Sequence, residues 1–272
     1  MIKAMFFDLD GTLLNSKKEI STATLSALER CKKLDIKLFL STARPPSLTK
    51  ALGWSNDVKN LFEGGVFCNG ALTVVENTES YLFIPSDVIH QTVLAMKSFP
   101  NINLTLQMKG NIHAFNNELP KNEYILWGIE NESILSTNNC SYCEVIKILI
   151  FDGSFAGTLK PLPSELFNIL SKICGKRAKL YLTDGGRIIQ IGNVNVSKYK
   201  GVKSICTSLG LCDNQIAVFG DDLNDIEMIK GCKHSVAMGN AVDEIKLAAE
   251  FITHNNDDDG IAFAVDYLLG SD

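Results

Sequence analysis

Residues 3–12 constrain the fold more than any other stretch, because two carboxylates and a glycine directly follow a short apolar run. An apolar run bounded by polar residues predicts a buried β-strand. Asp8 and Asp10 are two positions apart, so an extended backbone directs both side chains to the same side. Two such carboxylates repel each other by about 4 kcal/mol at ~4 Å and an effective dielectric of about 20. A cation or a proton must therefore neutralise the pair.

The residues after this pair suit an anion site. Gly11 permits a tight turn, and Thr12 offers a hydroxyl and a backbone N–H to an anion. The alternative is a strand that ends in an ordinary Asp-Gly turn. The rest of the chain decides between these interpretations by supplying, or not supplying, partners for the two carboxylates.

The composition is that of a globular protein. The chain has 272 residues, of which 46% are hydrophobic and 21% charged, which suits one large domain or two smaller ones. The formal net charge of −5 and the lack of a long basic run argue against a nucleic-acid partner. No apolar stretch approaches the ~20 residues that span a bilayer, and Asp8 comes too early for the apolar core of a signal peptide. We therefore expect a cytoplasmic protein that binds neither nucleic acid nor a membrane.

The eight cysteines are expected to be free thiols, because the chain shows no secretion signal. Cys140 and Cys143 form a lone C-x-x-C pair. Zinc would need two further ligands at a compatible spacing, and a redox pair would need to open a helix after a strand. The polar residues 137–139 favour neither, so the role of this pair stays open.

The first and last parts of the chain alternate between predicted strands and helices, as in parallel α/β proteins. Residues 21–34 have helical spacing with Ser21 as the cap, residues 37–41 form a second strand, and Pro45 or Pro46 opens another helix. The remaining predicted elements are a strand at 66–68, a hairpin around 77–79, a helix at 196–209, a strand at 215–219, a helix at 226–229, a strand at 234–237, a helix at 243–249, a strand at 251–252 and a helix at 260–269.

The middle of the chain has a different pattern, typical of an α+β layer. Its predicted elements are a helix at 86–99, a hairpin formed by 102–108 and 112–115, a strand at 144–151, a helix at 163–174 and a hairpin formed by 179–183 and 187–191. Residues 118–142 are polar and predict no regular element. We therefore expect a core formed by residues 1–84 and 191–272, with residues 85–190 as an inserted domain.

Four predicted strand ends carry polar side chains that could act together in one site. They are Asp8 and Asp10 after the first strand, Thr42 and Arg44 after the second, Asn69 after the third, and Asp221, Asn224 and Asp225 after the strand at 215–219. Ligands bind at the carboxyl ends of parallel strands, so these groups are expected to converge. Oxygen ligands suit Mg²⁺, which usually keeps waters, one or two carboxylates and a substrate phosphate.

Two features of this set have ordinary alternatives. Residues 220–225 resemble a capped helix start, although one cap needs one such side chain and this loop offers four. Lys198 and Lys200 lie near the start of a predicted helix, where the helix dipole disfavours a positive charge. Either lysine can be a solvated helix residue, but a buried anion would explain one of them.

Together, the D-L-D-G-T stretch at 8–12, the later lysine and the G-D-D-L-N-D loop at 220–225 resemble the haloacid dehalogenase superfamily of phosphatases. The runs S-V-A-M-G-N-A at 235–241 and D-G-I at 259–261 are similar to the Cof-type subfamily with a large α/β cap, class IIB. The resemblance implies an α/β fold, with a Rossmann-like parallel-sheet core and an inserted α+β cap that sets substrate specificity.

The resemblance also implies residue roles. Asp8 is the nucleophile that forms an aspartyl-phosphate, Asp10 is the general acid and base, and Thr42 holds the phosphoryl group. Lys198 is the family lysine, rather than Lys200. The implied Mg²⁺ ligands are Asp8, Asp10 through its backbone carbonyl, Asp221 and Asp225. The implied substrate-binding residues are Gly11, Thr12, Ala43, Arg44, Asn69, Gly70 and Asn224. Ala43 departs from the family pattern, which usually has glycine there, and this costs backbone freedom beside Arg44.

These roles make chemical sense. A carboxylate that attacks a phosphate dianion faces like-charge repulsion, which Mg²⁺ and a lysine offset. Asp10 must be protonated to assist the leaving alkoxide, and we expect the neighbouring charge of Asp8 to raise the pKa of Asp10. We therefore predict Mg²⁺-dependent hydrolysis of small phosphomonoesters, such as sugar phosphates, by a monomer or weak homodimer.

Three other functions compete with this prediction. A sugar phosphomutase would use the same core and return the phosphoryl group to a sugar. A non-enzymatic phospho-acceptor domain uses similar residues, but its acceptor lies on a later strand and it has no inserted cap. A degenerate binding protein is disfavoured because a competent residue fills every catalytic position.

Overall fold

The computed structural model describes residues 1–47, 51–129 and 133–270. Within these ranges the strands are β1 Ala4–Phe7, β2 Lys37–Ser41, β3 Phe62–Phe67, β4 Leu72–Val75, β5 Thr78–Tyr81, β6 Asn103–Met108, β7 His113–Phe115, β8 Ile134–Ser136, β9 Val145–Gly153, β10 Leu159–Lys160, β11 Ala178–Thr183, β12 Ile188–Asn193, β13 Ile216–Gly220, β14 His234–Ala237 and β15 Phe251–Ile252. The α-helices in the same ranges are α1 Thr22–Lys33, α2 Asn56–Lys59, α3 Ser86–Met96, α4 Lys121–Leu126, α5 Ser164–Cys174, α6 Lys198–Ser208, α7 Ile226–Gly231, α8 Asp243–Ala248 and α9 Gly260–Leu269. None of these helices is long and apolar enough to cross a bilayer.

Contacts within the chain divide it into two compact units. Unit 1 comprises Met1–Arg44, Leu52–Ser80 and Ser197–Asp272, and unit 2 comprises Pro45–Ala51 and Tyr81–Val196. The inserted domain predicted from the sequence spans residues 85–190. Unit 2 extends beyond that range at both ends and also includes the short segment that follows Arg44.

Unit 1 is built on an eight-stranded sheet with the strand order β15-β14-β13-β1-β2-β3-β4-β5. The strands from β15 to β3 are parallel, and β4 pairs antiparallel with β3. Every residue of β1 is buried, as expected for a parallel strand that is covered on both faces. Phe7 stacks on Phe219 of β13, and Phe6 stacks on Phe39 of β2, with ring centroids 4.5 and 5.0 Å apart. Burial of each such side chain stabilises the core by roughly 1.5–3 kcal/mol.

Most predicted elements of unit 1 are confirmed with small shifts at their ends. Ser21 caps α1 by accepting a hydrogen bond from the backbone N–H of Thr24. β3 begins at Phe62 rather than at residue 66, because two glycines in the stretch 62–65 interrupt the apolar pattern that marks a strand. The helix predicted to open at Pro45 or Pro46 falls partly on residues 48–50, which lie outside the described residues.

Unit 2 contains a second sheet with the strand order β11-β12-β9-β6-β7-β8, and β10 pairs with β9. Alternate residues of β6, β9 and β12 face a core that they share with α3 and α5, as the period of two along a strand requires. This core includes Val88, Ile89, Leu104, Leu106, Ile148, Ile150, Leu166, Leu170, Ile189 and Ile191. The helices and hairpins predicted for the middle of the chain are confirmed as element types.

The polar stretch 118–142, for which the sequence predicted no element, contains α4 and β8. A second apolar cluster holds this stretch in place. Its buried members are Phe115, Leu119, Tyr124, Ile129 and Phe151. Phe151 comes from β9, outside this stretch, and its ring contacts that of Trp127 with centroids 5.7 Å apart. Local periodicity does not reveal a contact with such a distant residue.

All eight cysteines are free thiols. Burial raises the pKa of the Cys140 thiol, which makes it less reactive. Cys143 is exposed.

Candidate functional site

The four strand ends identified in the sequence are neighbours in the unit 1 sheet, in the order β13, β1, β2, β3. β1 has β13 on one side and β2 on the other, so the strand order reverses at β1. Ligands bind at such a switch point in open α/β sheets. Two hydrogen bonds join the loops there: Thr12 Oγ1 donates to Asp221 Oδ1 at 2.7 Å, and Asn224 Nδ2 donates to Asn69 Oδ1 at 3.2 Å.

A buried lysine bridges two of the predicted acids. Lys198 Nζ donates to Asp8 Oδ1 at 2.6 Å and to Asp225 Oδ1 at 2.7 Å. Lys198 is 1% exposed and Asp225 0%. Burial alone would lower the pKa of Lys198, but the carboxylates of Asp225 and Asp8 outweigh this effect and raise it, so the lysine is charged. The structure thus places Lys198 in the site, whereas Lys200 is exposed.

The loop after β13 was interpreted from the sequence either as a capped helix start or as part of a metal site, and the structure shows features of both. Asp222 caps the turn by accepting a hydrogen bond from Leu223 N at 2.8 Å. Asp225 Oδ2 accepts hydrogen bonds from the backbone N–H groups of Asp221, at 3.1 Å, and Asp222, at 3.3 Å. Asp221 instead binds the first loop through Thr12. Capping therefore occupies Asp222 and one oxygen of Asp225, and it leaves Asp221 for the site.

Two glycines allow the loops to approach each other closely. Gly11 has a φ of +83°, and a Cβ there would lie 2.3 Å from Asp221 Oδ2. Gly70 has a φ of +101°, and a Cβ there would lie 2.3 Å from the carbonyl oxygen of Ser197. A side chain at either position would push away Asp221 or the start of α6.

Three carboxylates of the site fit a divalent cation. One ligand oxygen from each of Asp8, Asp221 and Asp225 lies within 4.8 Å of the others. When ionised, these three groups and Lys198 carry a net charge of −2, which a divalent cation balances. Burial raises the pKa of Asp221 to about 6, and the charge of Asp225 adds to this shift, although the hydrogen bond from Thr12 opposes it. A set of oxygen donors without sulfur or nitrogen suits Mg²⁺.

Asp10 lies in a different environment, and the expectation that Asp8 raises its pKa is wrong. Arg44 donates through Nε to Asp10 Oδ2 at 2.7 Å and through Nη2 to Oδ1 at 2.6 Å. Lys18 Nζ donates to Asp10 Oδ1 at 2.8 Å. Burial favours a higher pKa, but the hydrogen bonds from Arg44 and Lys18 outweigh it, so the pKa of Asp10 is lowered. Lys198 binds Asp8, whereas Arg44 and Lys18 bind Asp10.

Among the described residues, the side chain of Asp10 is not part of the carboxylate group that fits a cation. It was one of four predicted ligands, with its backbone carbonyl as the donor implied by the resemblance. The side chains of Asp8, Asp221 and Asp225 come together, and that of Asp10 points to Arg44. Coordination through the backbone carbonyl of Asp10 stays a prediction.

Sequence reasoning missed Lys18. It lies in the loop after β1 with a φ of +63°, a backbone conformation that is uncommon outside glycine. Its backbone N donates to Asn15 O at 2.9 Å, and Asn15 Oδ1 accepts from Lys17 N and Glu19 N, each at 3.0 Å. Asn15 is a turn signal, but nothing in the sequence indicated that the turn would direct a lysine to Asp10.

β2 delivers Thr42 and Arg44 to the site. Thr42 is buried, its backbone N donates to Val66 O at 2.8 Å, and its carbonyl accepts from Asn69 N at 3.0 Å. Thr42 Oγ1 accepts from Arg44 N at 3.1 Å. Ala43 does not have a positive φ, so alanine at this position imposes no left-handed backbone strain.

Comparisons with known proteins show which proteins this chain is similar to. The family model described as haloacid dehalogenase-like hydrolase matches residues 5–265. A putative phosphatase of Haemophilus influenzae is 29% identical to this chain, over 98% of each. An Arabidopsis thaliana protein named "Endoribonuclease YBEY, chloroplastic" is 27% identical over 96% of this chain, which spans only 45% of that protein.

A solved structure is also similar over the whole chain. It is a crystal structure of a haloacid dehalogenase-like hydrolase from Bacteroides thetaiotaomicron, with a TM-score of 0.82 and 25% sequence identity. The match covers 98% of this chain and 100% of that one.

Proposed function

The chain belongs to the haloacid dehalogenase-like hydrolases, and we propose that it hydrolyses small phosphomonoesters in the presence of Mg²⁺ through an aspartyl-phosphate on Asp8. Family membership and the similar crystal structure confirm the resemblance and the α/β fold predicted from the sequence. The observation that carries the proposal is the buried Lys198 between Asp8 and Asp225, with Asp221 beside them.

Two contacts fix the backbone and the carboxyl group of Asp8 against distant parts of the chain. Its backbone N donates to Phe219 O at 3.0 Å, which ties the end of β1 to β13, and Lys198 holds Oδ1. We assign Asp8 Oδ2 as the oxygen that attacks phosphorus. The charged lysine offsets part of the repulsion between this carboxylate and a phosphate dianion. When bound by Asp8, Asp221 and Asp225, Mg²⁺ supplies charge compensation to the phosphate oxygens.

Asp10 is the second functional carboxylate in this proposal. In the first step a protonated Asp10 gives its proton to the leaving alkoxide as the P–O bond breaks. In the second step ionised Asp10 takes a proton from the water that attacks the phosphorus of the acyl phosphate on Asp8. The bond between phosphorus and Asp8 Oδ2 breaks, which regenerates the Asp8 carboxylate and releases inorganic phosphate. Because Arg44 and Lys18 lower the pKa of Asp10, the first step requires the substrate phosphate to draw at least one of these cations away.

The remaining site residues bind the substrate in this proposal. They are Gly11, Thr12, Thr42, Ala43, Arg44, Asn69, Gly70 and Asn224. Thr42 and Arg44 follow β2, and Asn69 is hydrogen-bonded to the carbonyl of Thr42. A hydroxyl, a guanidinium and several backbone N–H groups suit the oxygens of a phosphoryl group.

We further propose that unit 2 is the cap that selects the substrate. Its own sheet and apolar core support this role, as does its main segment, which is inserted between β5 and α6. The substrate class is then a small phosphorylated metabolite, such as a sugar phosphate, in the cytoplasm, and the enzyme is a monomer or weak homodimer. The Haemophilus influenzae relative is named a putative phosphatase, so the mutase alternative is not favoured. A requirement for a bisphosphate activator would reveal a mutase.

The proposal is tested by phosphate release from a panel of sugar phosphates and one aryl phosphate, with Mg²⁺ and after chelation. We expect turnover with Mg²⁺ and a loss of at least about 100-fold on chelation, since the charge of the metal offsets that of the phosphate. Full activity in the chelated enzyme would contradict the metal assignment.

The roles of the two acids are tested by covalent labelling. Asp8→Asn should abolish phosphorylation of the enzyme, whereas Asp10→Asn should still be phosphorylated by a donor with a good leaving group, which needs little protonation. Asp57→Asn, which changes an exposed carboxylate of α2, is the control and should behave as the wild type. Phosphate found at position 8 of Asp8→Asn would show that the roles are wrong.

A further inference from the structure

Residues 238–242 contact both loops that carry the proposed catalytic acids. Residues 238–241 are the end of the S-V-A-M-G-N-A run, which the proposed mechanism does not use, and Val242 follows it. Met238 N donates to Gly220 O at 3.1 Å, and Val242 N donates to Asp221 O at 3.0 Å. Asn240 Nδ2 donates to Gly11 O at 2.8 Å. This segment therefore joins the loop after β13 to the loop after β1.

The side chain of Asn240 has partners on both sides. Its Nδ2 donates to Gly11 O, and its Oδ1 accepts from Asn256 N at 2.9 Å. With the amide turned over, its NH₂ group would face the N–H of Asn256 and its oxygen would face the carbonyl of Gly11. The hydrogen-bond pattern therefore determines the orientation of the amide.

Residues 254–256 form hydrogen bonds with Gly239 and Asn240 and hold them in place. Gly239 N donates to His254 O at 2.9 Å. A Cβ on Gly239 would lie 2.8 Å from Asn255 N, so only glycine allows the two segments to lie this close. Asn256 also fastens the first loop through its own side chain, which donates to Leu14 O at 2.9 Å.

The hydrogen bond from Asn240 to Gly11 O fixes the orientation of a whole peptide unit. The peptide unit between Gly11 and Thr12 is planar, so fixing the carbonyl also fixes the direction of the Thr12 N–H. The hydroxyl of Thr12 binds Asp221, so the same residue contacts the proposed metal site. We infer that Asn240 is a positioning residue, which holds the Gly11–Thr12 peptide so that its N–H binds the phosphoryl group of the substrate. This inference rests on the proposed function.

Three variants separate this role from simple fastening of the first loop. Asn240→Asp keeps an oxygen for the N–H of Asn256 but cannot donate to Gly11 O. Asn240→Ala removes both hydrogen bonds. Asn256→Ala is the matched control, because it removes the bond to Leu14 O and leaves the contact of its backbone N–H with Asn240 intact.

The measurements are the affinity for inorganic phosphate by calorimetry with Mg²⁺, kcat and KM for phosphate release, and thermal unfolding. Both Asn240 variants should bind phosphate at least about fivefold more weakly, the factor that one net hydrogen bond contributes, and KM should rise by a similar factor. Asn256→Ala should bind phosphate within about twofold of the wild type, even where it unfolds at a lower temperature.

Equal phosphate affinity of Asn240→Asp and the wild type would overturn the inference and leave the proposed function standing. An affinity loss in Asn256→Ala as large as that in Asn240→Ala would also overturn it, because loop fastening alone would then account for the effect. A wild-type protein that neither bound phosphate nor released it from phosphomonoesters would refute the proposed function and this inference with it.

Discussion

The variant Lys198→Met tests how strongly the buried lysine stabilises the carboxyl groups of Asp8 and Asp225. Lys198 Nζ contacts these two carboxylates at 2.6 and 2.7 Å, and all three groups are buried. At an effective dielectric of about 20, each contact has a gross Coulomb energy of about 6 kcal/mol, much of which desolvation of the lysine offsets. Removing one partner of a buried ion pair costs about 3–5 kcal/mol. We expect the free energy of unfolding at pH 7 to fall by about that amount.

Protonation of a carboxyl group limits the loss of stability in Lys198→Met and makes that loss depend on pH. A carboxyl group with an unfolded pKa near 3.9 takes up a proton at pH 7 for roughly 4 kcal/mol. Burial already raises the pKa of Asp8 in the wild type, and Lys198 opposes this rise. In Lys198→Met the opposition is lost, so the folded state of the variant binds more protons than the folded wild type does. The stability of the variant relative to the wild type then rises as the pH falls. The loss in the free energy of unfolding caused by Lys198→Met should be smaller at pH 5 than at pH 7, by at least about 1.4 kcal/mol.

The assay is guanidinium unfolding of both proteins at pH 7 and pH 5 with a chelator, because a divalent cation would replace part of the missing charge. Lys200→Met is the control, since this exposed lysine lies on the same helix. It should change stability by less than about 1 kcal/mol, the upper end for the contacts of an exposed charge. A loss in Lys198→Met no larger than that of the control would refute the reasoning. So would a difference that stays constant between the two pH values.

Two further predictions concern a loop glycine and a buried histidine. Gly11→Ala places a Cβ 2.3 Å from Asp221 Oδ2 at a φ of +83°, so we expect a stability loss of about 2–4 kcal/mol in chemical unfolding and weaker Mg²⁺ binding in calorimetry. Gly53→Ala, at a φ of +63° with open space around it, should lose only about 1–2 kcal/mol, and equal losses would contradict the contact with Asp221. Burial lowers the pKa of His113 to about 4, against a weaker opposing effect of its hydrogen bond to a backbone carbonyl. Because the unfolded state takes up this proton near pH 6.5, about 3 kcal/mol of stability should be lost as the pH falls from 6.5 to about 4. His113→Gln should show a smaller loss in the same titration, and an unchanged profile would refute the role of His113.

Local elements were largely predictable from the sequence. The residues of β1 form an uninterrupted apolar run, and the polar residues that follow it mark the edge of the sheet. Similar runs predicted β13 and β14, and a serine cap marked the start of α1. Such features depend on neighbours within a few positions, so a single sequence displays them. The stretch 118–142 escaped prediction because its few apolar residues pack into a cluster completed by Phe151, which lies outside the stretch.

The sequence by itself determined which side chains end the strands and, through its motifs, the family to which the chain belongs. Only the tertiary structure decided which cation each acid meets. Asp8 and Asp10 are two positions apart, yet Asp8 binds the buried Lys198 from far along the chain, whereas Asp10 binds Arg44 and Lys18. The pKa of a carboxyl group depends on its burial and on every charge within a few ångströms. Sequence separation does not report those distances, so the opposite environments of the two acids emerged only once β13 and β2 were placed on either side of β1.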